Sequence, residues 1–418
     1  MIKSVNTQTT LRAAVRDRPE FNLRANDGKS FAIFLLYFRL AVWLAYLCGS
    51  LTNLIGAELP VAGQEFLKAD DSLWQESMLW DHEVSVRSGL GYKDNVLLSP
   101  FTPQGSGFFA NGLDFSLIRL PLDRWQVVFM VSGDDWRYWN DAGTRNEDFA
   151  LADLRVNRFL GSLWQVGCEA RYVYDHQVID VSQLPGATRT ALAEGHGLTG
   201  QPFVRCETGS GWFSLLETPV TRWYFGRPLD AYWEAGPRLT LGREYGQDSH
   251  IQLAGSMSYE PHDENLALDS AGNPVAGKLE SIRQYQLELA WQHTWDARKH
   301  WRTVTKVAMG KVTDNDSGYF GYSHYRVAEE IRWRNPAWTI KGTGAVVWYD
   351  YPVQTVAPGT AGAAGLQRSR IDCKIEIERR LYQQLKSYVR FEYEQAFSNQ
   401  ASSCYRASTI SSGLEFSF

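Results

Sequence analysis

From about residue 80 to the end of the chain, hydrophobic and polar positions alternate with a period of two, the pattern of a β-strand whose faces meet different surroundings. The first clear run, 82–92, sets Val84, Val86, Ser88, Leu90 and Tyr92 against Glu83, Ser85, Arg87, Gly89 and Gly91. The last, 405–418, sets Ser408, Ile410, Ser412, Leu414, Phe416 and Phe418 against Thr409, Ser411, Gly413, Glu415 and Ser417. Read in the same way, the chain yields strands near 81–92, 110–120, 124–132, 147–159, 163–174, 198–208, 212–223 and 231–243. Eight more follow near 249–259, 280–295, 300–312, 319–334, 337–349, 368–380, 384–396 and 405–418. Sixteen is an even number, as a single-chain bacterial barrel requires, with fourteen as the fallback if a strand is miscounted.

The connections test this count independently. Long ones (93–109, 133–146, 175–197, 260–279, 350–367) keep in phase with short ones (121–123, 160–162, 209–211, 296–299, 335–336, 381–383). Outer-membrane barrels alternate short periplasmic turns with longer outer loops in this way. The expected fold is therefore all-β, a transmembrane antiparallel β-barrel of about sixteen strands, closed by pairing the first strand with the last.

The faces separate chemically. Ile371, Cys373, Ile375 and Ile377 oppose Asp372, Lys374, Glu376 and Glu378, while Val389, Phe391 and Tyr393 oppose Arg390, Glu392 and Glu394. A water-soluble sandwich alternates too, with the apolar face inward. In such a protein, however, a free hydrophobic terminal strand invites aggregation, a hazard that a closed barrel removes. A lipid-facing Arg or Lys at mid-depth costs ~2–4 kcal/mol, so the charged rows belong on a wet lumen. The expected pore lining is Arg87, Arg155, Glu169, Arg171, Arg205, Glu207, Glu234, Arg238, Glu288, Lys374, Glu376, Arg390 and Glu392. Two positions break the pattern. Glu329 shares the parity of Val327, Ile331 and Trp333, which calls for a bulge or an interfacial depth. Pro237 lies between Ala235 and Leu239 and cannot donate to a ladder, which calls for a bulge there.

Ahead of the strands, residues 31–47 are nearly all apolar and follow Lys3, Arg12, Arg16, Arg18, Arg24 and Lys29, with Gly56 and Ala57 downstream. A basic region, an apolar run and small residues describe a secretory signal peptide, and a membrane anchor is the alternative. The expected division is 1–57 extension and signal peptide, 58–79 short periplasmic lead-in, 80–418 barrel.

Composition agrees. Aromatic residues make up 13% of the chain while mean hydropathy is only −0.32, which fits aromatic girdles around a polar interior rather than a helical membrane protein. Removing residues 1–57 takes away seven basic and three acidic residues and leaves 35 Lys+Arg against 44 Asp+Glu, a charge of −9. Nucleic acid is disfavoured as a partner.

The ending resembles the C-terminal assembly signal of bacterial outer-membrane β-barrel proteins, with Ser411, Gly413, Phe416 and Phe418 in its places. That resemblance implies the Gram-negative outer membrane, its lipid and the barrel-assembly machinery as partners. The run Gly89, Gly91, Tyr92, Asp94, Asn95, Val96 resembles the opening of β-barrel porins found beside exopolysaccharide and envelope-export genes, which implies passage of a solute or saccharide. The architecture is similar to that of general diffusion porins, in which the third outer loop folds inward. The implied constriction residues are Asp175, His176, Asp180, Arg189, Glu194 and His196, with an ordinary solvated loop as the alternative.

No nucleophile elbow, phosphate loop or dinucleotide fingerprint occurs. No catalytic residue, metal or cofactor is expected. Cys168 and Cys206 look equidistant from the centre of their hairpin, which leaves a disulfide open, and neither forms part of a CxxC metal motif. The leading expectation is a channel for passive or weakly selective passage of small hydrophilic solutes or saccharides, with self-association open. A plugged barrel acting in interaction or envelope assembly is the alternative, and an enzyme at the rim is a distant third.

Overall fold

The structure is a computed structural model and describes residues 80–120, 124–140, 143–180, 190–226, 229–246, 248–356 and 363–418. The expected signal peptide, 1–57, and lead-in, 58–79, fall outside the described residues. The strands are β1 (Trp80–Lys93), β2 (Ser106–Arg119), β3 (Trp125–Tyr138), β4 (Asn146–Leu160), β5 (Trp164–Asp180) and β6 (Thr190–Glu207). Then come β7 (Trp212–Glu217 and Val220–Phe225), β8 (Tyr232–Ala235 and Arg238–Tyr245), β9 (Ser249–Leu268) and β10 (Pro274–Thr294). The remainder are β11 (Trp301–Asp314), β12 (Tyr322–Arg334), β13 (Trp338–Thr355), β14 (Gly365–Arg380), β15 (Leu385–Ser398) and β16 (Tyr405–Ser417).

Each strand pairs antiparallel with its neighbour in sequence, and β16 returns to β1. That closing seam runs from Ser85↔Ser417 to Lys93↔Thr409 and includes Val86↔Phe416. Val84 and Phe418 finish it with two reciprocal backbone bonds of 2.9 Å. The barrel is closed, with sixteen strands, and no sheet edge remains.

Two strands are interrupted, β7 at Thr218–Pro219 and β8 at Gly236–Pro237. The bulge expected at Pro237 does not form: the register is the same on both sides, Ala235↔Tyr259 and Arg238↔Ser256, and the missing proline donor leaves a break beside that of the neighbouring strand. Pro202 on β6 stands at the same level, where its carbonyl accepts the Thr218 N–H at 3.1 Å.

The outer hairpins differ from expectation. β5 continues to Asp180 and β6 begins at Thr190, β9 continues to Leu268, and β13 to Thr355, so most of the long connections are strand. Alternation marks a strand only where its two faces meet lipid and lumen. Beyond the membrane both faces meet water or protein, and an antiparallel ladder continues without that pattern.

The outward face carries the exposed hydrophobic side chains, among them Val86, Leu90, Leu113, Leu198, Leu241, Leu253, Leu289, Val307 and Leu414. Trp125, Trp164, Trp212, Trp301 and Trp338 each open a strand directly after a short turn and form the lower girdle. Tyr172, Tyr224, Tyr259, Tyr285 and Tyr325 stand exposed higher on the same face. Trp164 to Tyr172 is eight residues and Trp338 to Trp348 is ten. At ~3.3 Å per residue and a tilt near 40° this separates the girdles by ~20–25 Å, the height of an outer-membrane apolar band.

Glu329 occupies neither a bulge nor an interface. The ladders from β11 through β12 to β13 run unbroken across Thr305↔Glu329↔Gly344. It sits four residues from Tyr325 and four from Trp333 on the outward face, at mid-height. The Thr305 hydroxyl donates to its carboxylate at 2.6 Å, a lateral partner that periodicity alone does not reveal.

Candidate functional site: the lumen wall and its inward loop

The charged parity expected to line the lumen faces inward, where the side chains meet as ion pairs. Arg87 binds Asp114 at 2.6 Å and Asp134 at 3.1 Å. Arg171 binds Asp153 at 2.8 Å and also Glu169. Arg205 joins Glu207 at 2.7 Å and Glu244 at 2.6 Å, with its guanidinium over the Phe213 ring. Arg238 reaches Glu288 at 3.2 Å, Lys374 reaches Glu392 at 3.1 Å, and Arg390 reaches Glu376 at 2.8 Å. Arg155 stacks on Phe203 at 4.5 Å. Glu234 stands opposite Thr221 and takes part in no ion pair among the described residues.

These charges close on neighbours along the wall rather than facing one another across the lumen. Each exposed pair contributes at most ~1 kcal/mol, but together they hold long side chains against the wall and keep it hydrated. The sequence reading missed Asp114, Asp134, Asp153, Glu217, Glu244, Glu330 and the pair Lys93–Glu147 at 2.7 Å. Parity within a strand was the available signal. It was lost for Asp134 because 133–146 read as a loop, whereas β3 extends to Tyr138.

A charged inner face and a continuous apolar outer face between two aromatic girdles have one solvent arrangement in common: water within, lipid around. The chain is an outer-membrane β-barrel.

In the third outer hairpin, the described residues of the expected constriction loop, 175–180 and 190–197, are strand, and 181–189 fall outside the described residues. Asp175↔Gly195, His176↔Glu194 and Asp180↔Thr190 are ladder pairs, and His196 pairs with Tyr174. Of these side chains, His176, Glu194 and His196 lie on the outer face, where His196 Nδ1 and the Tyr172 hydroxyl are 2.7 Å apart. Arg189 falls outside the described residues.

The first outer loop, 94–105, turns inward. Asp94 continues the β1–β16 ladder, its N–H donating to the Ser408 carbonyl at 3.1 Å while its carboxylate accepts the Ser408 N–H at 2.6 Å. Asn95 is buried and donates to the carbonyls of Ser99 and Arg406, both at 2.9 Å. This turns the chain so that Val96, fully buried, packs on Phe108, Ala110, Trp136 and Tyr138 of the inner wall. Phe108 stacks on Trp136 at 4.7 Å and meets Tyr138 edge-on at 5.6 Å. The Leu97 carbonyl then accepts the Asp180 N–H at 2.8 Å, so the loop reaches from β1 to the tip of β5.

Gly91 makes this possible. A side chain there would drive into the Phe108 ring and the Ile410 carbonyl, so only glycine lets Phe108 lie against β1. The Gly-x-Gly-Tyr-x-Asp-Asn-Val run thus builds a loop anchor.

Cys168 and Cys206 are free and not opposed: Cys168 pairs with Pro202, and Cys206 with Trp164. The hairpin register is centred two residues before the midpoint of the two cysteines. Among the described residues, no group of three or more His, Cys, Asp or Glu side chains is placed to hold a metal ion.

No family model matches the chain, and no curated protein matches it. Solved structures similar to it include OccAB1 of Acinetobacter baumannii, at 9% identity over 81% of this chain and 97% of that one, with a TM-score of 0.43. A bacterial polysaccharide outer membrane secretin gives 10% identity over 80% and 98%, with a TM-score of 0.40. An anion-selective porin from Comamonas acidovorans gives 8% over 81% and 99%, also at 0.40.

Proposed function

We propose that the barrel is a channel through which small hydrophilic solutes or saccharides cross the outer membrane passively or with weak selectivity. One observation carries this reading: ionised side chains line the inner wall over its full height. They run from Lys386–Glu415 at the end bearing the chain terminus, through Arg87 and Arg390, to Lys93–Glu147 at the outer end. A wall of that composition holds water, and a water column of this kind conducts.

The lumen-facing residues act collectively, setting local charge along the path rather than performing chemistry. Outer-membrane lipid and the assembly machinery that reads the chain end are the other partners. The test is single-channel conductance of the refolded protein in a planar bilayer. Discrete openings are expected, with ion selectivity altered by Arg171→Ala. Folded protein that stays silent would favour the second reading, a plugged barrel serving interaction or envelope assembly, which the inward packing of Val96 supports.

A further inference from the structure

Many inward cations of the wall have a carboxylate partner, but one row sets cation against cation. Arg302 on β11 stands directly opposite Arg332 on β12, and Arg332 directly opposite Lys341 on β13. All three project inward, since the outward parity of β11 and β12 is that of Val307, Met309, Tyr325 and Val327. Like charges directly opposite each other destabilise a sheet, so this row opposes folding unless something offsets it.

One carboxylate among the described residues is bound to the row; Glu376, opposite Lys341 on β14, is held by Arg390 at 2.8 Å. Glu330 meets Arg302 at 3.2 Å through one oxygen and Lys341 at 3.3 Å through the other. Both oxygens are engaged by the flanking cations, and Arg332 is left between them. Arg334, next on the same face, likewise takes part in no ion pair among the described residues. The Arg302 Nε is buried with no hydrogen-bond partner.

These guanidinium groups line a polar cavity of about 520 Å³ with Lys299, His250 and Gln292. The acidic groups on its wall are each paired, Asp248 with Lys299 of the same cavity at 2.5 Å and Glu244 with Arg205 at 2.6 Å. The cavity lies beside the short turns that precede Ser249, Trp301 and Trp338, at the same end as the terminal Phe418. In an outer-membrane barrel, that end faces the periplasm.

We propose that the periplasmic mouth carries an oxyanion-binding site built by Arg302, Arg332 and Arg334, which takes a carboxylate- or phosphate-bearing solute arriving from the periplasmic side. Planar guanidinium groups pair such anions through two parallel N–H···O bonds, and three of them around one cavity suit a ligand with more than one anionic group. The proposal adds a ligand class to the channel reading but does not need the lumen to be open.

The test is equilibrium binding to the refolded full chain in low-salt buffer, with inorganic pyrophosphate, a digalacturonate and a neutral disaccharide as separate probes. Saturable binding of either anion, and not of the neutral sugar, is expected. Arg332→Gln should weaken that binding by about tenfold or more, while Arg332→Lys should keep part of it and Lys278→Gln, at the outer end, all of it. Because the row is repulsive when empty, Arg332→Gln should also raise the unfolding temperature of the anion-free barrel. Anion binding unaffected by Arg332→Gln, equal binding of the neutral sugar, or a lowered unfolding temperature would each overturn the site. A silent bilayer with intact anion binding would remove the channel reading alone, and conductance without anion binding would remove this one alone.

Discussion

Asp94 and Ser408 are joined twice, by a backbone bond of 3.1 Å in one direction and a backbone-to-carboxylate bond of 2.6 Å in the other. This pair is the last rung of the closing seam and the first anchor of the inward loop, so barrel closure and loop placement share a residue.

Asp94→Ala should release the loop while leaving the seam below it intact. A bond to a charged acceptor contributes about 1.5–3 kcal/mol, so stability should fall by about that amount. Proteolysis within 94–105 should speed up, and conductance should rise. A variant with unchanged proteolysis and conductance would show that Val96 and Asn95 hold the loop without it.

Glu329→Leu should stabilise the barrel by about 1–2 kcal/mol, because the carboxylate faces lipid at mid-height with a single hydroxyl donor. Unfolding of the variant in lipid vesicles measures this. A loss of stability instead would mean that another protein surface covers Glu329.

How much of this could be read from the chain depended on where each residue met water. Within the membrane, Arg87, Arg171, Arg390 and their apolar neighbours obey a period of two because lipid and lumen impose it, and the strand count and closure follow. His176 and Glu194 carry no such mark of a strand for the opposite reason: outside the membrane nothing imposes the period. The inward loop was missed because its anchors, Asp94 and Asn95, act through backbone partners more than three hundred residues away in sequence. The row of Arg302, Arg332 and Lys341 needed the register of three strands before its members could be placed side by side.

Deleting Phe418 should lower the amount of assembled barrel in the outer membrane more than it lowers the stability of barrel refolded in detergent. Phe418 is 58% exposed and its ring centroid lies 5.6 Å from that of Phe416, so its burial is small. Phe418→Ala keeps the bonds to Val84 and separates the two contributions. Normal accumulation of both variants, scored by heat-modifiable gel mobility of outer-membrane fractions, would remove the assembly role of the ending.

The breaks in β7 and β8 bear on the mechanics of the wall. The carbonyls of Pro202, Pro219 and Pro237 each bond across to the next strand, accepting from Thr218, Gly236 and Met257. A residue's N–H points to the same side as its C=O, so each proline withholds a donor from that same seam. Three consecutive seams lose a rung at one level, and the arc from β6 to β9 is stitched there on one side only. Such a line is a crease, held by fewer cross-strand bonds than the wall on either side of it, and should bend more readily than its surroundings.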